Sequence, residues 1–377
     1  MFSVIPLIAI ALTSIIAGVY LTYFYASFSK KGEGKKVKEL KDYPPISIVI
    51  PAYNEAKNIE TRVNNLIMSD YPLEKIELII VDDASEDDTT EIVSELIDLL
   101  KEYDVDAKLI SNEKRSGVNF SHSRGIKEAK NEIVVCTDAD VSFDNNSLKR
   151  IVANLLSGEG IGAVCGDSQP LSKKGLTGSS ESAYRSVYGR ITKWESDIAS
   201  TFNFNGPLFA LKKKAPFTLD IKKGAYDAGI AFSVIRNGYK ALYIPEAKVF
   251  EHVAVDLKSQ KKQKVRRAAR LLRATWENRD MLGKHGKFGT LVLPLRFLAF
   301  FICPIFFFIA LSLWIYLFSS ISIFFLPLLI ALFVLTTVSG IFRSNLFSTF
   351  IIHQFYLLLG SFYMFRDMRV WEPPREV

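Results

Sequence analysis

The segment VVCTDADVSF, residues 134–143, ends an apolar run on two carboxylates that are separated by a single alanine. Carboxylates repel each other and are poor strand residues, so a strand that ends in Asp138 and Asp140 either leaves the core for water or holds a cation. A D-x-D tripeptide alone is a weak signal, because most such matches are surface turns or helix caps. The rest of the chain decides between these interpretations.

Short apolar runs and longer amphipathic stretches alternate around this segment. The apolar runs predict strands at 46–50, 76–81, 107–110, 132–136 and 162–166. Helical spacing predicts helices near 56–69, 86–103, 120–130 and 145–156. This alternation predicts an α/β fold, with a mostly parallel sheet that carries helices on both faces. Ligands of such sheets bind beyond the carboxyl ends of the strands.

The polar motifs of this region stand at those strand ends. PAYNE follows the first predicted strand, DDAS the second and DAD the fourth. The absence of GxGxxG after the first strand counts against a dinucleotide-binding dehydrogenase, and the absence of GxxxxGK[ST] excludes a Walker phosphate loop. Acidic residues in place of phosphate-cradling glycines suggest that the protein brings a cation to phosphates. Mg²⁺ or Mn²⁺ on one or two carboxylates would neutralise the diphosphate of a sugar nucleotide as it leaves.

The chain of 377 residues is 49% hydrophobic, and the excess lies towards its two ends. Residues 2–28 carry no charge and are long enough to cross a ~30 Å hydrocarbon core as a helix. They lack a basic n-region and a small-residue cleavage site, so we expect a retained anchor and not a signal peptide. Two further spans are predicted from 297 and 321. A third apolar stretch, from 346, contains His353 and Gln354 and could span, pack inside the bundle or lie at the interface.

The net charge of +7 is concentrated beside these apolar segments. Six lysines follow the first segment: Lys30, Lys31, Lys35, Lys36, Lys38 and Lys41. A denser basic run precedes the second segment, so the positive-inside rule predicts that the polar region between them is cytoplasmic. Four spans would place the C-terminus outside, whereas the three arginines of FRDMRVWEPPREV favour the inside.

The basic run LKSQKKQKVRRAARLLRATWENRDMLG, residues 257–283, combines spaced apolar residues with many lysines and arginines. The pattern predicts amphipathic helices in the membrane interface, with the cations near anionic lipid headgroups. A plain solvated face is the alternative. Nucleic-acid binding fits less well, because aromatic residues do not interleave with the basic ones and the run abuts a predicted span.

The three cysteines, Cys136, Cys165 and Cys303, show neither metal-ligand nor CxxC spacing and fit buried, reduced residues. His252 could approach a metal, but a lone histidine after a strand is more often a hydrogen-bonded structural residue. Trp194, with Glu195 and Asp197, either lines an acceptor groove or serves ordinary packing.

Five segments carry a family resemblance in their order and spacing: SIVIPAYNE, IIVDDASEDDT, VVCTDADVSF, NGPLFALKK and YDAGIAFSVIRNGYKALYIPEAKVFEH. Over about residues 45 to 280 they resemble the inverting family 2 glycosyltransferases with the GT-A fold. The flanking apolar segments resemble the membrane-integrated branch that includes cellulose, hyaluronan and poly-N-acetylglucosamine synthases. The resemblance implies transfer from a nucleoside-diphosphate sugar, with UDP-sugars expected first, to a growing polysaccharide or a lipid-linked glycan.

This interpretation divides the chain into six predicted parts of a multi-pass cell-membrane protein. They are an N-terminal transmembrane anchor (1–29), a basic juxtamembrane linker (30–44), a cytoplasmic GT-A domain (45–256), basic amphipathic interface helices (257–295), C-terminal transmembrane helices (296–366) and a tail (367–377).

The resemblance also assigns expected roles to single residues. The base and ribose pocket matches Ala52, Tyr53, Glu55 and Asp83, and the metal and diphosphate motif matches Asp138 and Asp140. Gln263 with Arg266 or Arg267 resembles the QxxRW motif beside the donor diphosphate.

Asp227 matches the acidic residue that serves as the catalytic base. Inversion needs one carboxylate to take the proton from the acceptor hydroxyl, while a metal and an arginine stabilise the departing diphosphate. An isolated aspartate before such a helical pattern is more often an N-cap, so the family pattern alone favours the role of base.

Three positions depart from the family pattern. Arg267 stands where the polymer synthases carry tryptophan, so processivity is open. The family often has GK near the third strand, whereas Gly117 here precedes a valine, and Arg115 or Lys114 is expected to supply the positive charge. The acidic pair of the base position is here Tyr226-Asp227, which leaves one carboxylate.

Two alternatives stay open on these grounds. A polyprenyl-phosphate glycosyltransferase would use the same chemistry, but such relatives usually lack a preceding anchor and often lack the Q-x-x-R segment. A non-catalytic membrane scaffold or transporter belongs to another class. A dead enzyme should have lost one of its acidic or arginine motif residues, and a transporter would need more spans and intramembrane polar pairs.

Overall fold

The computed structural model of the chain describes residues 4–28, 40–171, 175–215, 225–252, 257–321, 327 and 346–366. Most of the predicted linker, nearly all of the predicted span from 321 and the tail 367–377 lie outside these residues. The chain divides into two compact units. The helical unit contains Met1–Lys30, Ser172–Ile191 and Val253–Arg366, and the sheet unit contains Lys31–Leu171, Thr192–His252 and Asp367–Val377.

The sheet unit is built on one eight-stranded sheet with the strand order β3-β2-β1-β4-β7-β6-β8-β5. The strands are β1 Ile46–Ala52, β2 Ile76–Asp82, β3 Asp106–Ser111, β4 Ile133–Thr137, β5 Val141–Phe143, β6 Ile161–Pro170, β7 Leu208–Lys212 and β8 Lys240–Glu251. The five predicted strands correspond to β1, β2, β3, β4 and β6. They form the α/β sheet that the alternation predicts.

The sheet is mixed. Strands β3, β2, β1 and β4 pair in parallel, as do β6 and β8. Strand β7 runs antiparallel to both β4 and β6, and β5 runs antiparallel to β8. The parallel pairing that the alternation predicts therefore holds in two parts of the sheet, and the antiparallel β7 joins these parts.

Eleven α-helices lie in the described residues of the two units. They are α1 Val4–Phe28, α2 Ile59–Ile67, α3 Thr89–Lys101, α4 Val118–Glu128, α5 Ser147–Leu156, α6 Gly175–Ile198, α7 Tyr226–Arg236, α8 Leu257–Glu277, α9 Leu293–Phe297, α10 Cys303–Ile321 and α11 Leu346–Tyr363. Two π-helical turns, Phe288–Val292 and Leu298–Ile302, flank α9.

The central strands of the sheet have nearly continuous apolar sequences because both faces of the sheet are covered. Every residue of β2 and of β4 is buried, as expected for parallel strands between two helical layers. Helix α4 packs closely on β1: a Cβ added to Gly125 would lie 2.3 Å from Cγ1 of Val49. The three cysteines are buried and free, as predicted.

Among the described residues of the helical unit, two helical stretches are long and apolar enough to cross a membrane, Val4–Tyr25 and Phe288–Ser320. The apolar stretch Phe350–Tyr363 is shorter. Within this unit Trp314 donates a hydrogen bond from Nε1 to Oγ1 of Thr13 at 3.1 Å, and Gln354 donates to the hydroxyl of Tyr20. Spanning by α11 and the interface position of α8 stay predictions.

Candidate active site

The loops after β1 and β2 interlock at the carboxyl edge of the sheet. The amide of Asn54 donates to Oγ of Ser85 at 3.0 Å, and the amide of Glu86 donates to Oδ1 of Asn54 at 2.8 Å. Asn54 and Ala84 both adopt left-handed backbone conformations, with φ of 56° and 61°. Such conformations are uncommon for residues other than glycine and concentrate at functional sites. The two predicted motifs, PAYNE and DDAS, therefore form one fixed surface.

Asp83 organises the loop between β3 and α4. Its Oδ1 accepts hydrogen bonds from Nδ2 of Asn112 at 2.7 Å and from the amide of Ser116 at 2.9 Å, and its Oδ2 accepts one from the amide of Gly117 at 2.7 Å. Gly117 has a φ of 89°, which an L side chain rarely adopts. A buried carboxylate with three donors thus shapes the loop, a role that the sequence did not predict.

The same loop carries Arg115 to Tyr53. The guanidinium carbon of Arg115 lies 3.8 Å from the ring centroid of Tyr53, which is cation–π geometry. The amide of Asp83 also donates to the carbonyl of Ala52 at 2.8 Å. Four residues predicted to bind the donor are therefore brought together. Of the two candidate cations, Arg115 rather than Lys114 is the one stacked on Tyr53.

Acidic side chains from four parts of the chain interact at this edge. Asp138 follows β4, Asp140 precedes β5, Glu55 lies in the loop after β1, and Asp227 lies in the first turn of α7. Burial, and then the charges of Asp140, Glu251, Asp227 and Glu55, raise the pKa of Asp138 well above its ordinary value. We name these five carboxylates the acidic cluster. It contains every carboxylate for which the sequence predicts a metal or base role.

Burial is also the largest cause that raises the pKa of Glu55, to about 7. A hydrogen bond from Asn58 opposes this shift, and the charges of Asp140 and Asp87 add to it. Glu55 is therefore close enough to Asp140 for the two carboxylates to repel each other, and a proton or a cation relieves this repulsion.

Glu251 is the member of the acidic cluster that sequence reasoning missed. It is the last residue of β8, pairs with Val141 in the adjacent strand β5, and accepts a hydrogen bond from Oγ of Ser168 at 2.8 Å. The neighbouring His252, a weaker candidate for a metal ligand, is exposed. Side chains alternate between the two faces of a strand, which explains why Glu251 and not His252 joins the acidic cluster. Glu251 points to the buried side of β8, whereas His252 follows the end of the strand.

The chemistry of the acidic cluster fits Mg²⁺ or Mn²⁺. Both ions prefer carboxylate oxygens, and a cation would offset the mutual repulsion that raises these pKa values. Within the described ranges, however, no group of three or more His, Cys, Asp or Glu side chains converges into a ready-made metal site. The donor types therefore suit a divalent ion held by one or two carboxylates, which is how proteins commonly bind Mg²⁺.

Asp227 is held at the start of α7 but does not cap it. The N-cap position is Ala225, and Oδ1 of Asp227 accepts a hydrogen bond from the next amide, that of Ala228, at 2.9 Å. A Cβ added to Gly206 would lie 3.4 Å from Oδ2 of Asp227. The side of Oδ2 that faces Gly206 is thus kept open by the missing side chain.

Tyr226 fills the position where the family pattern has a second acid. It is buried, and its ring stacks on that of His122 with centroids 4.7 Å apart and planes at 9°. The ring of Phe209 lies 5.8 Å away. This aromatic group joins the first turn of α7 to α4 and β7. Because position 226 is thus used for packing, Asp227 is the single carboxylate of the Tyr226-Asp227 pair.

The residues around Trp194 serve the structure. Glu195 is fully buried and accepts a hydrogen bond from Oγ1 of Thr201 at 2.7 Å. Asp197 forms an ion pair with Lys193 one helical turn away. Trp194 itself is partly buried, and the packing interpretation fits these neighbours.

Gln263, Arg266 and Arg267 lie on α8, in the helical unit. Within that unit Nη1 of Arg267 lies 3.9 Å from Oε1 of Glu181, and Nζ of Lys264 lies 3.2 Å from Oε2 of the same residue. The Q-x-x-R segment is therefore helical and partly engaged with α6, and its contribution to donor binding stays a prediction.

Comparisons with known proteins agree with this geometry. Residues 47–215 match the family described as Glycosyl transferase family 2. The chain is similar to a poly-beta-1,6-N-acetyl-D-glucosamine synthase of Staphylococcus epidermidis, with 27% identity over 258 residues, 67% of this chain and 60% of the relative. A synthase of the same description from Staphylococcus aureus is 25% identical over 256 residues, with the same coverage. The chain thus spans about 60% of the length of these relatives.

A solved structure matches over nearly the whole chain. It is a mannosyltransferase from Pyrobaculum calidifontis in complex with GDP-Man and Mn²⁺, with a TM-score of 0.78 and 25% sequence identity. The match covers 97% of this chain and 99% of that protein. The fold is the GT-A-like α/β fold, and the match to the glycosyltransferase family lies within the part of the chain that forms the sheet.

Proposed function

We propose that this protein, whose residues 47–215 match the family 2 glycosyltransferases, is a metal-dependent inverting glycosyltransferase. It would transfer a sugar from a nucleoside-diphosphate sugar to a growing polysaccharide or a lipid-linked glycan. The observation that supports this proposal most directly is the acidic cluster. In this cluster the charges of Asp140 and of Asp227 both act on Asp138, at the carboxyl edge of the sheet.

The arrangement divides the chemistry among the residues of the edge. Tyr53 and Arg115 would hold the nucleotide, since an aromatic face and a planar cation suit a base and its phosphates. Asp138 and Asp140 would hold a divalent cation, which neutralises the departing diphosphate. A carboxylate oxygen of Asp227 would take the proton of the acceptor hydroxyl. The hydroxyl oxygen would then bond to the anomeric carbon of the donor sugar as the bond from that carbon to the diphosphate breaks. Attack opposite the leaving group inverts the anomeric centre.

Two donors are favoured by separate observations. The curated relatives are poly-N-acetylglucosamine synthases, which favours UDP-N-acetylglucosamine. The structure of the mannosyltransferase was determined with GDP-Man, and the match covers 97% of the present chain. That coverage makes mannosyl transfer from GDP-mannose a second candidate function. Transfer to polyprenyl phosphate is the corresponding alternative for the acceptor.

The proposed site of action is the cytoplasmic face of a membrane. Two helices that are long and apolar enough to span support an attachment to the bilayer. The basic residues beside these segments favour a cytoplasmic position for the sheet unit under the positive-inside rule. A sugar nucleotide made in the cytoplasm would then reach the acidic cluster directly, and a lipid-linked acceptor would arrive through the membrane.

Release of nucleoside diphosphate from the lipid-reconstituted full chain tests this function. UDP-N-acetylglucosamine and GDP-mannose are compared with Mn²⁺, with Mg²⁺ and with a chelator, in the presence of membrane lipid extract as acceptor. We expect turnover with one donor, loss of turnover in chelator, and a loss of at least about 100-fold in Asp227→Asn.

The exposed Asp98 of α3 supplies a matched control, since Asp98→Asn makes the same chemical change away from the acidic cluster. Radiolabelled product that runs as a ladder indicates a polymer, and one lipid-extractable product indicates a lipid acceptor. Full turnover in Asp227→Asn, or none with any donor in the wild type, would contradict the proposal.

A further inference from the structure

The carboxyl end of β6 carries a buried acid that the proposed chemistry does not use. Asp167 is 9% exposed. Its Oδ1 accepts a hydrogen bond from the hydroxyl of Tyr243 on β8 at 2.7 Å, and its Oδ2 accepts one from Nε2 of Gln169 at 2.7 Å. Asp167 and Gln169 are two residues apart on β6, so they lie on one face of the sheet. We name these three residues the Asp167 group.

Two short contacts connect the Asp167 group to the proposed base. Nδ2 of Asn205 donates a hydrogen bond to the carbonyl oxygen of Gly166 at 2.8 Å. Asp167 is the residue after Gly166. Gly206 is the residue after Asn205, so each of these neighbours is about 3.8 Å of main chain away from the hydrogen bond. A Cβ added to Gly206 would lie 3.4 Å from Oδ2 of Asp227, so the Asp167 group and the base are close neighbours.

The Asp167 group also lies on the face of the sheet that carries the base. Cys165, two residues before Asp167, pairs with Phe209 of β7, and the side chains of paired residues share a face. The ring of Phe209 lies 5.8 Å from that of Tyr226, the first residue of α7. Asp227 is the next residue of that helix. The Asp167 group and the base therefore stand on the same side of β6 and β7.

The chemistry of the Asp167 group suits sugar hydroxyls. Each carboxylate oxygen of Asp167 accepts one hydrogen bond and has a lone pair to spare. Gln169 is only partly buried, and among the described residues its Oε1 accepts no hydrogen bond. A fixed carboxylate beside a carboxamide can accept from one hydroxyl and exchange hydrogen bonds with the next. A phosphate group would instead be repelled by the carboxylates of Asp167 and Asp227.

We propose that Asp167 and Gln169 bind hydroxyl groups of the terminal sugar of the acceptor, next to the hydroxyl that Asp227 deprotonates. Tyr243 fixes the carboxylate of Asp167 in the orientation that this contact needs. The inference rests on the proposed transferase with Asp227 as its base, and it narrows the class of acceptor. A carbohydrate end, free or linked to a lipid, receives the sugar, and the phosphate of polyprenyl phosphate does not.

Sugar transfer by the lipid-reconstituted full chain to three kinds of acceptor tests this inference. They are short oligosaccharides of N-acetylglucosamine or mannose, the same sugars on a polyprenyl diphosphate carrier, and polyprenyl phosphate without a sugar. The variants are Asp167→Asn, which keeps the shape of the side chain, Gln169→Ala and Tyr243→Phe. The exposed residues Asp98 and Tyr103 supply the matched controls Asp98→Asn and Tyr103→Phe. Binding of UDP and GDP, measured by calorimetry, reports the donor side separately.

We expect the wild type to use sugar-bearing acceptors and not polyprenyl phosphate. Asp167→Asn should raise the acceptor KM about 10- to 100-fold, because a hydrogen bond to a charged group is lost. Gln169→Ala and Tyr243→Phe should each raise it about 3- to 10-fold. In all three, KM should change more than kcat, and nucleoside diphosphate affinity should stay at the wild-type value. The controls should keep the wild-type acceptor KM.

A comparison of the two sugar-bearing acceptors identifies the source of the carbohydrate end. Faster transfer to the carrier-linked sugar indicates a lipid-linked glycan, and equal transfer indicates a free chain end; either result supports the inference. If Asp167→Asn does not fold, the partly exposed Gln169 carries the comparison as Gln169→Ala.

Other results would separate the possible failures. An unchanged acceptor KM in Asp167→Asn and Gln169→Ala would overturn the inference, as would wild-type transfer to polyprenyl phosphate that matches transfer to the sugars. A loss of nucleoside diphosphate affinity as large as the rise in acceptor KM would show that the Asp167 group serves only the fold, and would also overturn it. These three results leave glycosyl transfer standing. No transfer to any acceptor by the wild type would instead remove the proposed function, and the inference with it.

Discussion

Replacing Gly206 with alanine is expected to slow sugar transfer while the protein stays folded. The added Cβ would lie 3.4 Å from Oδ2 and 3.9 Å from Cγ of Asp227, which is ordinary van der Waals contact. Gly206 is outside the left-handed region of backbone conformation, so alanine introduces no backbone strain. Stability should stay unchanged or rise by about 0.4–1 kcal/mol, because alanine restricts the unfolded chain.

The expected effect on activity follows from the space around Oδ2. An acceptor hydroxyl oxygen must come within about 2.8 Å of Oδ2 to pass its proton, and it stays about 3.3 Å or more from a methyl carbon. With Cβ at 3.4 Å, these limits exclude the acceptor oxygen from a cone that has its apex at Oδ2, its axis towards Cβ and a half-angle of about 60°. This cone contains about a quarter of all directions of approach to Oδ2. Displacing the hydroxyl by up to about 1 Å should lower transfer about 10- to 100-fold.

The measurement is acceptor-dependent release of nucleoside diphosphate by the reconstituted protein, with donor affinity determined separately. Donor affinity should be unchanged, since the added methyl group faces Asp227, the proposed catalytic base, and not the D-A-D loop. Gly160→Ala is a matched control, because a Cβ there meets nothing within 4 Å. Wild-type transfer by a folded Gly206→Ala protein would refute the argument that the acceptor reaches Asp227 past Gly206.

Three further predictions concern the donor side of the site. Gly117→Ala forces a side chain into a φ of 89° and should cost about 1–3 kcal/mol of stability together with a weaker donor complex, measured by thermal unfolding and calorimetry. Arg115→Ala should weaken donor binding about 10-fold through the lost cation, whereas Lys114→Ala should have little effect; equal effects would contradict the stacking argument. Mn²⁺ affinity should fall as the pH drops from 8 to 6, because Glu55, with a pKa of about 7, then holds a proton that competes with the ion. If the Mn²⁺ affinity does not change between these pH values, this result would count against the acidic cluster as the metal site.

The same raised pKa gives an opposite trend for the metal-free protein. The folded state holds the proton of Glu55 up to about pH 7, whereas an ordinary glutamate releases it near 4.5. The contribution of this group is therefore fully present below about pH 4.5 and is lost as the pH rises through about 7. Denaturant unfolding in chelator across this range measures it, and added Mn²⁺ should restore the lost stability at high pH.

Local pattern was sufficient for the parallel part of the sheet. Apolar runs such as ISIVI and IELIIV are covered on both faces, and their composition therefore reports their burial directly. Polar motifs at the ends of such strands must meet at one edge, because parallel strands share a direction. For this reason the strand-end motifs PAYNE and DAD are expected at one edge of the sheet, and the structure places Glu55 and Asp138 near enough there for their charges to interact.

The remaining strands and Glu251 could not be predicted in this way. Strand β5 has three residues, and the antiparallel β7 pairs with β4 and β6 across large separations in the chain. Glu251 joins the acidic cluster only because the register of β8 sets it opposite Val141. Pairing register is a long-range property, and no local spacing specifies it.

The amino-acid sequence specified which chemical groups gather at the edge of the sheet, since hydrophobic periodicity and strand-end acids are local features. Tertiary packing alone decided how those groups are held: Asp83 as the centre of a loop, Tyr226 as a partner of His122, and Arg62 as a buried cation. On an amphipathic helix an arginine ordinarily marks the solvent face. Only the three-dimensional neighbourhood, here the ring of Phe143 and the charge of Asp138, makes a buried position favourable for it.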